Sequence, residues 1–333
     1  MESLDLLRRA RLDVARDGTP ARPRAAAPEA RHARRLSPRR ILARALLLGA
    51  IGIARAAAAR SGSDASASLS ALRAALETGD LPRAVREGEA AIRADPASSE
   101  AQDLLGRAYG LTAQGSTLLE QVRLARKART CFARAVELDP SNVAALSDLA
   151  RYDMRAPGML GGGKKKAREI IDRVAALDPE RGHVLLGELA ELEKKPAEAE
   201  AEFRLALAAA PHGERGRRAL SDFLVSQKRY GEARGLWLEA RDSEEHRVLA
   251  DYELAGIAIV SGEGLEPAAR GLEESLSARG RADAPTPASI HERLAVVYER
   301  LGRNREAAAE LEAALTLEPD RSDWRRRLAR LEQ

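Results

Sequence analysis

The stretch Leu294–Pro319, LAVVYERLGRNREAAAELEAALTLEP, decides the fold. Leu294, Tyr298, Gly302, Ala307, Leu311, Ala314 and Pro319 stand in it at fixed offsets, as a first helix, a turn and a second helix closed by proline. The proline cannot extend the second helix, because it lacks an N–H and its ring collides with the preceding turn, so it fixes where the next helix starts. Small residues are needed where the two helices of one hairpin approach closely, and the aromatic or leucine knob fills the space between successive hairpins.

The same order recurs upstream. Aligned on the closing proline, the copies read Ala84, Ala91 and Pro96; Ala128, Phe132, Ala135 and Pro140; Ala167, Ile171, Val174 and Pro179; and Ala199, Phe203, Ala206 and Pro211. Ala233, Trp237 and Ala240 follow with Glu245 in the proline slot, and then a degenerate copy has Ala268, Leu272 and Ser275 and no proline. First helices keep the register as Leu105, Gly106 and Tyr109, and as Leu186 and Gly187. A period in the thirties is the signature of a stacked helix-turn-helix array.

On these residues the chain resembles the tetratricopeptide repeat family over roughly Ser66–Gln333. The resemblance implies an all-α, right-handed superhelical solenoid of about seven hairpins, spanning 66–319, with a capping helix at 320–333. It also implies a protein that binds other proteins and catalyses nothing. In that capping helix Asp323 is expected to cap, Trp324, Leu328 and Leu331 to share one face, and Arg325, Arg326, Arg327 and Arg330 to meet solvent, which closes the end of a solenoid to further stacking.

Two units exceed the period, since Pro96 to Pro140 spans 44 residues and Pro140 to Pro179 spans 39. Both excesses fall between first and second helices, at 110–122, read as extra helical turns, and at the loop 156–163. Insertions in repeat arrays map to one edge and often carry binding. The loop Gly158, Met159, Leu160, Gly161, Gly162, Gly163, Lys164, Lys165 reads G-x-x-x-x-G-K, but a helix and not a strand precedes it and Lys replaces the hydroxyl residue that magnesium needs, so nucleotide binding is not expected. Pro157 ends one helix there and Lys164, Lys165 and Lys166 open the next, a place where cations are mildly unfavourable and where they could meet an anionic group of a partner. The insertion resembles one found in some exported bacterial repeat proteins.

The charge is uneven. The first 60 residues hold 14 Arg and 5 acids, a local charge of +9, so the +4 of the whole chain leaves −5 for the remainder. The repeat array therefore offers no bulk electrostatic case for nucleic acid. Within the basic leader, 1–60, Arg39, Arg40 and Arg44 precede the apolar run Ala45–Ala54, too short to span a bilayer but of signal-peptide length. Small-x-small triplets follow at Ala57–Ala59 and Ala65–Ala67. The reading is an exported, periplasmic protein with no membrane span left once the leader is removed; an organellar transit peptide and a cytoplasmic protein with a basic tether are the alternatives. Cys131 is alone, which excludes an intramolecular disulfide, and is read as a small buried hydrophobe.

His32, His183, His212, His246 and His291 are scattered singly, with no i, i+4 pair and no cysteine neighbours, so no metal is expected. No nucleophile elbow occurs, and no cofactor and no enzyme activity is expected. In the family the first helices line the groove, and chaperone-tail binders clamp a carboxylate there with a Lys and Asn pair. The corresponding pairs here are Asp103 with Arg107, Ser147 with Arg151, Val184 with Glu188, and Arg218 with Asp222, so that clamp is missing. Arg107, Arg151 and Arg155 are read as a basic strip near the glycine loop, and Tyr252, Ile259 and Val260 as an apolar patch. The expectation is a monomeric scaffold that takes a peptide or helix of another protein in its concave face, with Arg107, Arg151, Arg155, Lys164, Lys165, Lys166, Tyr252 and Ile259 as contacts. A periplasmic small-ligand or polysaccharide-assembly subunit, using a pocket at the two inserts, is the alternative.

Overall fold

The computed structural model describes residues 63–277 and 285–332, all within one compact unit, Ala58–Gln333. Every regular element among the described residues is helical. Helix α1 covers 63–77. It is followed by α2 (Leu81–Ala94), α3 (Ser99–Gln114), α4 (Leu118–Leu138), α5 (Val143–Arg155), a 3-10 turn at Gly158–Leu160, α6 (Lys164–Leu177) and α7 (Pro179–Leu192). The second half holds α8 (Pro196–Ala209), α9 (Glu214–Ser226), α10 (Tyr230–Arg241), α11 (Arg247–Ser261), α12 (Leu265–Ser277), α13 (Pro287–Arg300), α14 (Asn304–Leu317) and α15 (Ser322–Leu331). The leader with its apolar run 45–54 and the triplet Ala57–Ala59 lies outside the described residues, whereas Ala65–Ala67 belongs to α1.

Each helix packs against its neighbours in sequence, which makes a stack of antiparallel hairpins. Helices two apart also touch, and they do so in the odd set: α3 with α5, α5 with α7, α7 with α9, and α11 with α13. In a curved two-layer stack the inner layer is the crowded one, so the odd helices form the inner face and the even helices the outer. The all-α solenoid of hairpins is therefore the observed architecture, and no helix among the described residues is long and apolar enough to cross a membrane.

The repeat residues build its core. Ala84, Ala128, Ala167, Ala199, Ala233 and Ala307 are fully buried, and so are Ala135, Val174, Ala206 and Ala314 at the second small position. The knobs Phe132, Ile171, Phe203, Trp237, Leu272 and Leu311 are buried between hairpins. Each contributes roughly 1.5–3 kcal/mol through burial. Where the knob is Trp237, the facing small residue is Ser221, whose Oγ accepts the indole N–H at 2.9 Å, so the one polar atom of the larger ring is satisfied. The degenerate copy is held differently. Buried Asp251 accepts from Arg241 Nε at 2.5 Å and from Ser275 Oγ at 3.0 Å, against Gly271, an ionic link where other units use alanine packing.

Local chemistry sets the helix ends. Asp80, Ser98, Asn142, Asp178 and Thr286 each accept a backbone N–H from the first turn they cap. In five of the turns from an inner to an outer helix a residue just past the helix end takes the left-handed region: Gly79, Lys194, Lys228, Gly262 and Gly302. The bonds Lys195 N–H to Ala190 O, Arg229 N–H to Leu224 O and Arg303 N–H to Tyr298 O close that turn in three units.

The terminal helix differs from expectation in two respects. Asp323 lies inside the first turn of α15, whose N-cap is Arg321, and it accepts from Arg321 Nη2 at 2.9 Å instead of capping. Arg327 is half-buried instead of turned to solvent: it reaches back to Glu292 Oε1 at 2.9 Å and Glu299 Oε1 at 2.5 Å on α13. Trp324 is buried as expected, with Leu328 and Leu331 against the same cluster. The insert at 110–122 does add helical turns, since α4 has 21 residues where α2, α6 and α8 have 14.

Candidate functional site

Ion pairs tie the odd helices together across the inner face. Arg73 on α1 meets Glu100 on α3 at 2.5 Å, and Arg107 on α3 meets Asp148 on α5 at 2.5 Å. Arg151 on α5 then grips Glu188 on α7, with Nη2 at 2.8 Å from Oε1, and Arg155 Nη2 stands 3.6 Å from Oε2 of the same carboxylate. The three guanidiniums read from the sequence as a basic strip are thus brought together, but each is paired with an acid of its own or the next inner helix. At mixed burial such pairs contribute about 1 kcal/mol or less each. They orient side chains more than they stabilise.

Asp103 is the exception among these acids. Its carboxylate is buried, Oδ1 has no hydrogen-bond partner, and Oδ2 lies 3.4 Å from the Arg107 Nε that already serves Asp148. Burial first, and the adjacent Asp148 second, push its pKa up to about 7.

Tyr252 and Ile259 sit on α11, and both are covered from α13. The Arg293 guanidinium stacks 3.6 Å from the Tyr252 ring centre and donates to the Tyr252 carbonyl at 3.0 Å, while Arg300 donates to the Ile259 carbonyl. Gly256 leaves the room for this, since a methyl group there would stand 2.7 Å from Arg293 Nη1. Two arginines therefore lie over Tyr252 and Ile259, while Val260, the third residue of the expected apolar patch, is exposed.

The loop 156–163 is closed by its own bonds. Gly163 N–H donates to Asp153 O at 2.7 Å, Tyr152 Oη donates to Leu160 O at 3.1 Å, and Gly162 leaves no space for a side chain, as a Cβ would stand 2.0 Å from Ala156 O. Arg129 on α4 pairs with the buried Asp153 at 3.2 Å beneath it. Lys164 Nζ lies 3.9 Å from Glu193 Oε1, Lys166 Nζ donates to Gly161 O at 3.2 Å, and Lys165 is exposed. Cys131, in α4, is partly buried, and that burial raises its thiol to about 11, which leaves it protonated at neutral pH. Among the described residues no group of three or more His, Cys, Asp or Glu is placed to hold a metal ion.

A cavity of about 730 Å³ opens between α7 and α9. Glu180, Glu188, Glu191, Arg215, Arg218 and Asp222 stand around it, and the buried rings of Phe203 and Phe223 pack beneath it, with ring centres 5.6 Å apart. Its cations are already engaged, Arg215 with Glu180 at 2.8 Å and Arg218 with Glu253 of α11 at 3.0 Å. The sequence reading did not single out this cavity. The signal available was a sign change: the helix position that carries Arg107 on α3 and Arg151 on α5 carries Glu188 on α7 and Asp222 on α9.

Two segments match family models described as tetratricopeptide repeat, at residues 162–214 and 288–321. Among solved structures, a tetratricopeptide repeat protein from Parabacteroides merdae is similar at 15% identity, over 81% of this chain and 100% of that one, with a TM-score of 0.44. Pseudomonas aeruginosa pilF is similar at 19% identity, over 81% of this chain and 99% of that one, with a TM-score of 0.41. The human IFIT1 dimer with m7Gppp-AAAA is similar at 16% identity, over 72% of this chain and 55% of that one, with a TM-score of 0.45. No curated protein matches the chain.

Proposed function

We propose that this chain, two segments of which match tetratricopeptide repeat models, is a non-catalytic scaffold that holds an extended peptide or a helix of a partner protein along the inner, odd-helix face. The observation that carries this reading is the open cavity of about 730 Å³ between α7 and α9, continuous in sequence register with the ion-paired face of α3 and α5. A surface already fixed by cross-helix ion pairs and closed turns loses little freedom when it binds, which limits the entropic cost of association. Arg107, Arg151, Arg155, Tyr252 and Ile259 belong to that face. Their guanidinium and ring contacts present a mixed surface of roughly neutral charge, and Lys164, Lys165 and Lys166 flank it at the edge formed by the glycine loop. Peptide recognition on such a groove rests on a few anchors, with the remaining contacts supplying fit.

Site-specific photo-crosslinking in the cells that make the protein tests the reading. A crosslinker at Val225 on α9 or Val260 on α11 is expected to capture one and the same partner, and a crosslinker at Leu205 on α8 or Leu238 on α10 is expected to capture none. Capture from the even-helix positions alone would place recognition on the outer face and refute the proposal.

A further inference from the structure

We infer that the edge of the solenoid carrying the α3–α4 turn and the glycine loop docks on an anionic lipid surface, with Leu118, Leu119 and Met159 entering the headgroup layer. This goes beyond the inner-face reading and does not depend on it, because the turns between helices lie on an edge of the stack and not on its inner face.

The first observation is where the exposed apolar side chains stand. Leu118, Leu119 and Met159 are 77%, 83% and 82% exposed, whereas no other large apolar side chain among the described residues exceeds 55%. All three sit at inner-to-outer turns of neighbouring hairpins, and in a stack of antiparallel hairpins those turns share one edge. Aligned on the buried Ala84, Ala128, Ala167 and Ala199, α4 has its extra length at its start, 21 residues against 14, so its tip overhangs the neighbouring outer helices by about 10 Å. Side chains that protrude singly from convex turns do not offer the roughly 800 Å² per partner that a stable protein contact buries. A headgroup layer moulds itself around such tips and takes up their apolar carbon.

The second observation is the charge around them. Arg126, Lys127, Lys165 and Lys166 make no ion pair among the described residues: Lys127 lies 4.8 Å from the Tyr109 ring centre, Lys166 donates to Gly161 O at 3.2 Å, and Arg126 and Lys165 are exposed. The nearby acids are taken, Glu120 by Arg123 at 2.5 Å and Asp153 by Arg129 at 3.2 Å, which leaves Glu169, a turn down α6, against four cations. Burial raises the pKa of the Tyr152 hydroxyl, and the charges of Arg129 and Arg126 oppose it, so both guanidiniums flank the ring that holds the loop through Leu160 O. On α4 the unpaired cations follow the leucines by about two turns. An apolar tip followed by cations matches the order of acyl carbon and phosphate in an anionic bilayer.

The same charge disfavours two other occupants. The leader carries +9 in its first 60 residues, and Arg39, Arg40 and Arg44 precede its apolar run, so seating that run here would set like charges together. A second copy of this edge would do the same.

The test uses the full chain with Cys131→Ala as background and a single nitrobenzoxadiazole label at Leu119→Cys, at Met159→Cys or, on the opposite edge at the end of α6, at Leu177→Cys. Vesicles of phosphatidylcholine with phosphatidylglycerol are expected to shift the emission of the labels at 119 and 159 to the blue, and chain-brominated lipid to quench them. Pure phosphatidylcholine should leave both unchanged, and the label at 177 should not respond to either vesicle. Arg126→Gln with Lys165→Gln should weaken the response at 119 about tenfold in lipid concentration, with the circular dichroism unchanged. Protein that sediments with the anionic vesicles while the labels at 119 and 159 stay unchanged would be attached by its leader, and the inference would fall. It would fall equally if pure phosphatidylcholine gave the same response, if neither vesicle gave one, or if the label at 119 responded to protein concentration alone, which would mean that a second copy covers the tip.

Discussion

The ring of Phe203 lies so close to Gly187 that a methyl group on the glycine would stand 2.3 Å from ring carbon Cε1. Phe132 and Gly106 repeat the relationship two hairpins earlier, at 2.6 Å. Neither ring can retreat, because each is wedged between hairpins. We expect Gly187→Ala to lower stability by about 1–3 kcal/mol through overpacking. Gly235→Ala, at an α10 position where nothing lies within 4 Å, is expected to raise it by about 0.5–1 kcal/mol through helix propensity. Urea midpoints of the two variants should move in opposite directions, and equal shifts would show that the close approach does not exclude a side chain at Gly187.

That pairing also shows how far the fold could be read without coordinates. Small residues at two places on an outer helix and a large knob between them are forced by sterics at the contact itself, so Ala199, Phe203 and Ala206 reveal the packing directly. The binding face could not be read in the same way. Whether Arg107, Arg151 and Arg155 stay free depends on how one inner helix lines up with the next, and the alignment brings Asp148 and Glu188 onto them. The pairing of Arg327 escapes a sequence reading for the same reason: its partners Glu292 and Glu299 are about thirty residues away.

The tryptophan of the fifth hairpin depends on one hydroxyl. Ser221→Ala leaves the buried Trp237 N–H without its acceptor, and the variant should lose about 1–3 kcal/mol. In a Trp237→Phe background there is no donor to orphan, so Ser221→Ala should cost clearly less there. A Ser221→Ala substitution that costs as much in the Trp237→Phe background as in the wild type would mean that the bond contributes nothing beyond ring packing.

Two of the turns between inner and outer helices use lysine where others use glycine. Lys194 and Lys228 both have φ of 60°, a region in which a side chain costs roughly 1–2 kcal/mol. Glycine relieves that cost but adds freedom to the unfolded chain, so Lys228→Gly is expected to gain only about 0.5–1 kcal/mol. Thermal unfolding decides it, and a lowered midpoint would show that the lysine side chain makes a compensating contact.

Asp103 makes the stability of the first hairpins depend on pH, and the sign can be worked out. Its carboxyl titrates at about 7 in the folded protein against 3.8 when free, chiefly through burial, with Asp148 and Glu100 raising it further and Arg107 and Arg181 opposing them. Between those two values the folded chain keeps a proton that the unfolded chain has released. Stability therefore falls as pH rises through that window, by up to about 4 kcal/mol at roughly 1.4 kcal/mol per pH unit. Below the window Asp103 is protonated in both states and no charge is buried on folding; above about pH 7 it is ionised in both, and the loss is complete. Asp103→Asn removes the titration. Urea midpoints measured from pH 4.5 to 8 should fall more steeply for the wild type than for the variant, and parallel curves would mean that Asp103 is already ionised at the low end.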